Sequence, residues 1–139
     1  MIVVDTNVLS ELLRRSPNRS VLTWFNEMPL ESVWTSAITV FEIRSGLEAM
    51  SGGKRRRELE TAFAKVLEED LEDRVLPFDH AAANAAGAIA ARQRQAGRPV
   101  EIRDVQIAGI AVARKATLAT RNVRHFEDVG VALVDPWLK

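Results

Sequence analysis

Short apolar runs alternate along the chain with longer segments in which apolar and polar residues mix. The runs are IVV (2–4), SVWT (32–35), RVLPF (74–78), ATLAT (116–120) and VALV (131–134). The segments between them have the spacing of helices and lie at 10–15, 20–28, 36–50, 58–70, 79–97 and 101–115. This alternation is typical of βα units around a mostly parallel sheet, so the sequence predicts an α/β fold.

Length and composition narrow the class of protein. With 139 residues and 47% hydrophobic content, we expect a single domain over residues 1–139. The formal net charge is zero, so a site for a polyanion must be a local patch. The absence of cysteine excludes disulfides, thiolate zinc sites and cysteine nucleophiles. No apolar stretch approaches the roughly 20 residues that span a bilayer, so we expect a cytoplasmic protein without a membrane partner.

The first apolar run ends on a carboxylate, Asp5, followed by Thr6 and Asn7. Helices cover both faces of a parallel sheet, so ligands bind beyond the carboxyl ends of the strands. Asp5 is placed for such a site. The alternative is structural, since Asp5 or Thr6 would also serve as the cap of a helix that starts near Asn7.

Two further carboxylates lie in helical segments where the surrounding apolar residues make a charge unfavourable. Glu42 lies outside the expected core stripe of its helix, on a side that also carries Ile38, and Asp104 precedes residues that are apolar nearly all round. A charge near such surface is costly unless it is paired or binds a metal. Ion pairs with Arg44 or Arg103 are the structural alternative.

The strand ATLAT ends in Thr120, Arg121 and Asn122, as the first strand ends in Asp5. If these strands are parallel neighbours, both ends lie at one edge of the sheet. Three carboxylates with an amide oxygen and waters are a ligand set for Mg²⁺ or Mn²⁺ and a poor set for zinc.

These residues together resemble the PIN-domain ribonucleases, and among them the VapC and FitB-like toxins of type II toxin–antitoxin pairs. The resemblance rests on Asp5-Thr-Asn, SAITVFEIRSG with Glu42, EIRDVQIAGIA with Asp104, and LATRNVRHF with a terminal Pro-Trp. It implies a three-layer α/β/α sandwich with a mostly parallel sheet of four to five strands. It also implies a Mg²⁺-dependent endoribonuclease that forms a homodimer and is inhibited by a small cognate antitoxin of the VapB or FitA type.

By the same resemblance, Asp5, Glu42 and Asp104 match the metal-binding acidic residues, and Thr120 and Asn122 match the last element of the site. Many family members carry aspartate where Asn122 stands, which leaves the number of metal ions open. The predicted reaction is hydrolysis of an RNA phosphodiester by a metal-activated water.

Further roles within this predicted site follow from charge and position. Asp5 and Asp104 are the expected principal ligands, and Glu42 is a ligand directly or through water. Asn122 and Thr120 are expected to orient the water or the phosphate. Arg121 and Arg124, which flank Asn122, are candidates for contacts with RNA phosphates.

Apolar residues in the first thirty positions suggest an interface. Leu12, Leu13, Trp24 and Phe25 are more than a small domain easily buries, so a homodimer or an antitoxin-bound complex is expected. The basic run at 54–57 is expected to be solvated surface, although it stands at the positive end of a helix dipole. His125 is a further candidate for contact with RNA.

Two other classes of protein are alternatives. A phosphotransfer domain of the receiver or haloacid-dehalogenase type is disfavoured, because the second nearby aspartate of the dehalogenase pattern and a plainly placed lysine are missing. A catalytically weak PIN-like domain that binds RNA or protein stays open. Degenerate domains of that kind are expected to lose an acidic residue, and Asp5, Glu42 and Asp104 are all present.

Overall fold

A central sheet of five parallel strands organises the protein, as seen in a computed structural model that describes residues 1–138. The strand order is β3-β2-β1-β4-β5. The strands are β1 (Ile2–Val4), β2 (Val33–Ser36), β3 (Val75–Leu76), β4 (Thr117–Ala119) and β5 (Ala132–Val134). Every neighbouring pair is parallel, which confirms the predicted α/β class and sheet.

Within residues 1–138, six α-helices connect and cover these strands. They are α1 (Thr6–Leu12), α2 (Arg19–Glu27), α3 (Ala37–Ala49), α4 (Lys54–Lys65), α5 (His80–Gln95) and α6 (Ile102–Ala113). A π-helical turn, Val66–Asp70, extends α4. Asp79 caps the start of α5, since its carboxylate accepts a hydrogen bond from Ala82 N at 3.0 Å.

Two hydrophobic cores lie on opposite faces of the sheet and create the three layers. In one core, helices α5 and α6 pack against the sheet. In the other, the four helices α1, α2, α3 and α4 pack against its opposite face. Successive residues of β1 point to opposite faces, so Val3 belongs to the first core and Val4 to the second, and both are fully buried. This two-sided burial explains why the first strand is apolar throughout.

The apolar residues of the N-terminal helices are buried within the chain. Leu13, Trp24 and Phe25 all belong to the second core, and Leu12 and Trp137 pack against it. The prediction that these residues exceed what the domain can bury is therefore wrong. They give no support for a homodimer, which stays a prediction from the family resemblance.

The helices α5 and α6 approach each other closely because small residues face one another. A Cβ atom at Gly109 would lie 2.5 Å from the carbonyl oxygen of Ala82 and 2.7 Å from Cβ of Ala86. The alanine-rich sequence of α5 thus serves a close helix contact. This contact fixes the position of α6, which carries Asp104 in its first turn.

The basic run at 54–57 forms the first turn of α4 and pairs with acidic residues of α3 and α4. Arg56 contacts Glu48 at 3.0 Å and Glu60 at 3.4 Å, and Arg44 of α3 contacts the same two carboxylates. Lys54, Arg55 and Arg57 are exposed, as expected of solvated surface, and the pairs of Arg56 offset only part of the unfavourable interaction with the helix dipole. Within residues 1–138, no helix has the length and hydropathy needed to cross a membrane.

Candidate active site

The ends of β1 and β4 bring Asp5 and Thr120 together. The strands pair in register from Ile2 opposite Thr117 to Val4 opposite Ala119, and Asp5 N donates to the carbonyl of Ala119 at 2.9 Å. The next residues along both strands therefore meet at the carboxyl edge of the sheet, where the sequence places them.

Asp5 is nearly buried, with 4% of its surface exposed, and both of its carboxylate oxygens are held. Oδ1 accepts from Thr6 N at 2.8 Å. Oδ2 accepts from Thr120 Oγ1 at 2.8 Å and from Asn7 Nδ2 at 3.2 Å. Asp5 is thus the N-cap of α1 and also a wall of the cleft described below, so its structural and functional interpretations are compatible.

The electrostatic surroundings of Asp5 disfavour its negative charge. Burial raises the pKa of Asp5, and the hydrogen bonds from Thr120 and Thr6 oppose that rise. The nearby charges of Asp104 and Glu42 raise the pKa further. A cation in this cleft would offset the repulsion among the three carboxylates.

Glu42 reaches this region from the second turn of α3. Its Oε1 accepts from Thr6 Oγ1 at 2.9 Å, and its Oε2 lies 3.6 Å from a guanidinium nitrogen of Arg103. Of the two ion-pair partners predicted under the structural alternative, Arg103 does contact Glu42, whereas Arg44 pairs with other carboxylates. The side chain of Arg103 is half exposed, so this ion pair is partly screened and contributes little to stability.

Asp104 lies in the first turn of α6, ahead of a buried stretch of that helix. Its Oδ2 is 2.8 Å from Nδ1 of His125, whose side chain is 56% exposed. The sequence prediction missed this contact. The only signal for it was that His125 follows Asn122 by three residues, in a short helical turn, Val123–His125.

All three carboxylates line a single cleft of about 590 Å³ at the carboxyl edge of the sheet. The other residues that line it include Asn7, Arg14, Arg121, Asn122 and Trp137. The guanidinium of Arg121 lies 5.0 Å from the ring centre of Trp137, which orients its charge beside the cleft. Arg124 does not line this cleft, and so of the two predicted phosphate-binding arginines only Arg121 is placed in it.

Thr120 and Asn122 occupy different positions in the site. Thr120 is fully buried, and its hydroxyl donates to Asp5 and accepts from Asn122 N at 3.0 Å. This geometry makes Thr120 a positioning residue for Asp5, and Thr120 is not among the residues that line the cleft. Asn122 does line the cleft. Asn7 lines it too, and its Oδ1 accepts a hydrogen bond from Arg121 N at 3.2 Å. The sequence prediction did not include Asn7 among the site residues.

The donor set suits a hard divalent cation such as Mg²⁺, because carboxylate and amide oxygens are its preferred protein ligands. Within residues 1–138, no three carboxylate or imidazole groups already stand close enough together to hold a metal ion. Magnesium usually keeps several waters and is held by one or two carboxylates. The cleft therefore fits an ion bound partly through water.

Comparison with known proteins identifies the family of this chain. Residues 2–132 match the PIN domain. The chain is 40% identical to the VapC ribonuclease Y4jK of Sinorhizobium fredii, over 99% of this chain and 98% of the relative. It is 36% identical to the toxin FitB of Neisseria gonorrhoeae, over 99% of both chains.

A solved structure of FitAB bound to the IR36 DNA fragment superposes with a TM-score of 0.89 at 36% identity, over 99% of this chain and 96% of that one. The resemblance predicted from the sequence is confirmed, and the chain belongs to the PIN-domain family, with VapC and FitB toxins among its relatives.

Proposed function

We propose that this protein is a Mg²⁺-dependent endoribonuclease that acts as the toxin of a type II toxin–antitoxin pair. The observation that carries the proposal is the convergence of Asp5, Glu42 and Asp104, from three separate segments, on one cleft. The relative named a VapC ribonuclease supports the reaction class, and the relative named toxin FitB supports the biological role.

Asp5 and Asp104 would hold the ion, with Glu42 contributing directly or through water. A bound Mg²⁺ would supply the acidity that activates a water and the positive charge that stabilises the phosphate during hydrolysis. Mn²⁺, which has similar ligand preferences, would substitute for Mg²⁺.

The remaining residues of the cleft would position the reactants. Thr6 and Thr120 fix the two oxygens of Asp5 through hydrogen bonds, so that carboxylate is held before substrate binds. Asp104 has one such contact, with the exposed imidazole of His125. Asn122 and Arg121 also line the cleft, where the amide of Asn122 would orient a water or a phosphate oxygen and Arg121 would bind phosphate. No covalent nucleophile is required.

The open position of the cleft favours unpaired RNA as substrate. A single strand or a loop can place one phosphate at the edge of the sheet, where a rigid duplex would meet the surrounding helices. A small cognate antitoxin of the VapB or FitA type is the proposed protein partner. The superposition on FitAB, in which the FitB relative is part of a complex bound to DNA, supports that partner.

The test compares metal-free protein with protein given Mg²⁺ or Mn²⁺, on RNA of one sequence in single-stranded and duplex form. We expect cleavage of the single strand only when metal is present. Cleavage that EDTA does not affect would contradict the metal-dependent mechanism. Binding of RNA or antitoxin without any cleavage would instead favour the catalytically weak PIN-like domain.

A further inference from the structure

A second cleft lies beside the candidate active site, and Asp104 lines both. The second cleft has a volume of about 380 Å³. It is lined by Gln93 near the end of α5, by Arg98, Pro99, Val100 and Glu101 in the loop that follows, by Asp104, and by Arg124 and His125 in the turn after β4. We propose that this second cleft binds the base of an unpaired nucleotide that adjoins the scissile phosphate. This inference rests on the proposed ribonuclease function.

The size and lining of the second cleft suit a nucleobase. Its volume falls within the range of about 300 to 1,000 Å³ that is typical of small-molecule sites. Pro99 and Val100 give it apolar surface, and Val100 also packs against the core between α5 and α6. The imidazole of His125 is largely exposed and offers a flat face on which an unstacked base can lie.

Polar groups of the second cleft match the hydrogen-bonding edge of a base and the backbone phosphate of a nucleotide. The Gln93 side chain carries both a donor and an acceptor, the combination that reads the edge of a base. Arg124 is exposed and makes no ion pair among residues 1–138, whereas Arg98 at the same cleft pairs with Asp128. Arg124 is therefore the available cation for a backbone phosphate.

The position of Asp104 determines how far the scissile phosphate lies from the base that the second cleft would bind. Asp104 lines the candidate active site on one side and the second cleft on the other. A phosphate bound beside Asp5 and Asp104 would thus have a flanking base within reach of Pro99 and His125. The second cleft would then contribute to the choice of cleavage sequence, because the base at that position is held by shape and by hydrogen bonds.

The experiment uses a short single-stranded RNA whose cleavage site has been mapped with the active protein. A series of the same RNA lacks one base at a time on either side of the scissile phosphate. Binding is measured by fluorescence anisotropy in EDTA, where the proposed cleavage is prevented, and KM is measured separately with Mg²⁺. We expect loss of one flanking base to weaken binding to the unaltered protein about tenfold, and to raise KM similarly.

A bulky substitution tests the cleft itself. Gln93→Trp should fill the second cleft, weaken binding of the intact RNA about tenfold, and remove the dependence on the flanking base. Gln95→Trp adds the same side chain to the same helix at an exposed position outside that cleft, and should behave like the unaltered protein. A Gln93→Trp variant that still discriminates against the missing base would overturn the proposal.

A charge substitution that is not expected to disturb folding gives an independent test. Arg124→Ala should weaken RNA binding at every sequence and reduce the salt dependence of binding by about one phosphate contact. Arg57→Ala removes an exposed arginine from α4, outside both clefts, and should leave binding unchanged. Metal-dependent cleavage without dependence on any flanking base would overturn this inference alone, whereas absence of cleavage would overturn the proposed function.

Discussion

Asp5 and Asp104 both line the candidate active site and are held in different ways. Asp5 is almost buried and accepts hydrogen bonds from Thr6 N, Thr120 Oγ1 and Asn7 Nδ2. Asp104 has a side chain that is 22% exposed and contacts a single imidazole, that of His125. One carboxylate is thus locked by the sheet, and the other is adjustable.

This difference indicates a division of roles within the cleft. The locked carboxylate of Asp5 offers an ion a ligand in a fixed position. Its negative charge is disfavoured by burial and by the neighbouring carboxylates. The adjustable carboxylate can exchange its exposed partner for an ion at little cost, because exposed pairs contribute little to stability. Such a cleft can hold a cation without a preformed three-ligand cage.

The largest expected effect comes from removing the locked carboxylate. Asp5→Asn should reduce RNA cleavage by about two orders of magnitude or more, because the charge that holds the ion is lost while the cap oxygen of α1 is kept. Initial rates of cleavage with saturating Mg²⁺ measure the effect, and circular dichroism checks the fold. Cleavage within a factor of about three of the unaltered rate would contradict the role of Asp5.

The next test removes the buried hydroxyl that holds Asp5. Thr120→Val keeps the shape of the side chain but leaves Oδ2 of Asp5 without its closest donor. The free energy of unfolding should fall by about 1 to 3 kcal/mol, because a buried acceptor loses a partner. Chemical denaturation measures this loss. An unchanged free energy would show that Asp5 is less firmly held than its burial indicates.

The matched test removes the partner of Asp104. His125→Ala should change the free energy of unfolding by less than about 0.5 kcal/mol, since the imidazole is largely exposed. Denaturation under the same conditions as for Thr120→Val gives the comparison. If His125→Ala were the more destabilising of the two, the assignment of a locked and an adjustable carboxylate would be reversed.

The sequence was informative about residues whose position depends on strand order and strand ends. Asp5 and Thr120 each follow an apolar strand, and parallel pairing of those strands is enough to bring them together. The buried helix after Asp104 was likewise predictable from its uninterrupted apolar residues. In each case a local pattern and one rule of topology determine the position.

Contacts that depend on turns and on packing between distant segments were not predictable in this way. The contact of His125 with Asp104 requires the short turn after Asn122, which has no strong sequence signature. Asn7 appears in the sequence as part of a helix start, and its contacts with Asp5 and Arg121 exist only in the folded site. Burial of Trp24 depends on a core assembled from four helices.

The most direct test of the central claim, that these carboxylates bind a divalent cation, is paired thermal unfolding of the unaltered protein and Asp104→Asn, with and without Mg²⁺. Mg²⁺ at a hundredfold excess over its dissociation constant should stabilise the unaltered protein by about 2.7 kcal/mol and do little for the variant. Without metal the variant should be as stable as the unaltered protein or more so, because repulsion with Asp5 and Glu42 is reduced. A variant destabilised by about 3 to 5 kcal/mol without metal would instead identify Asp104 as half of a structural ion pair and contradict the account.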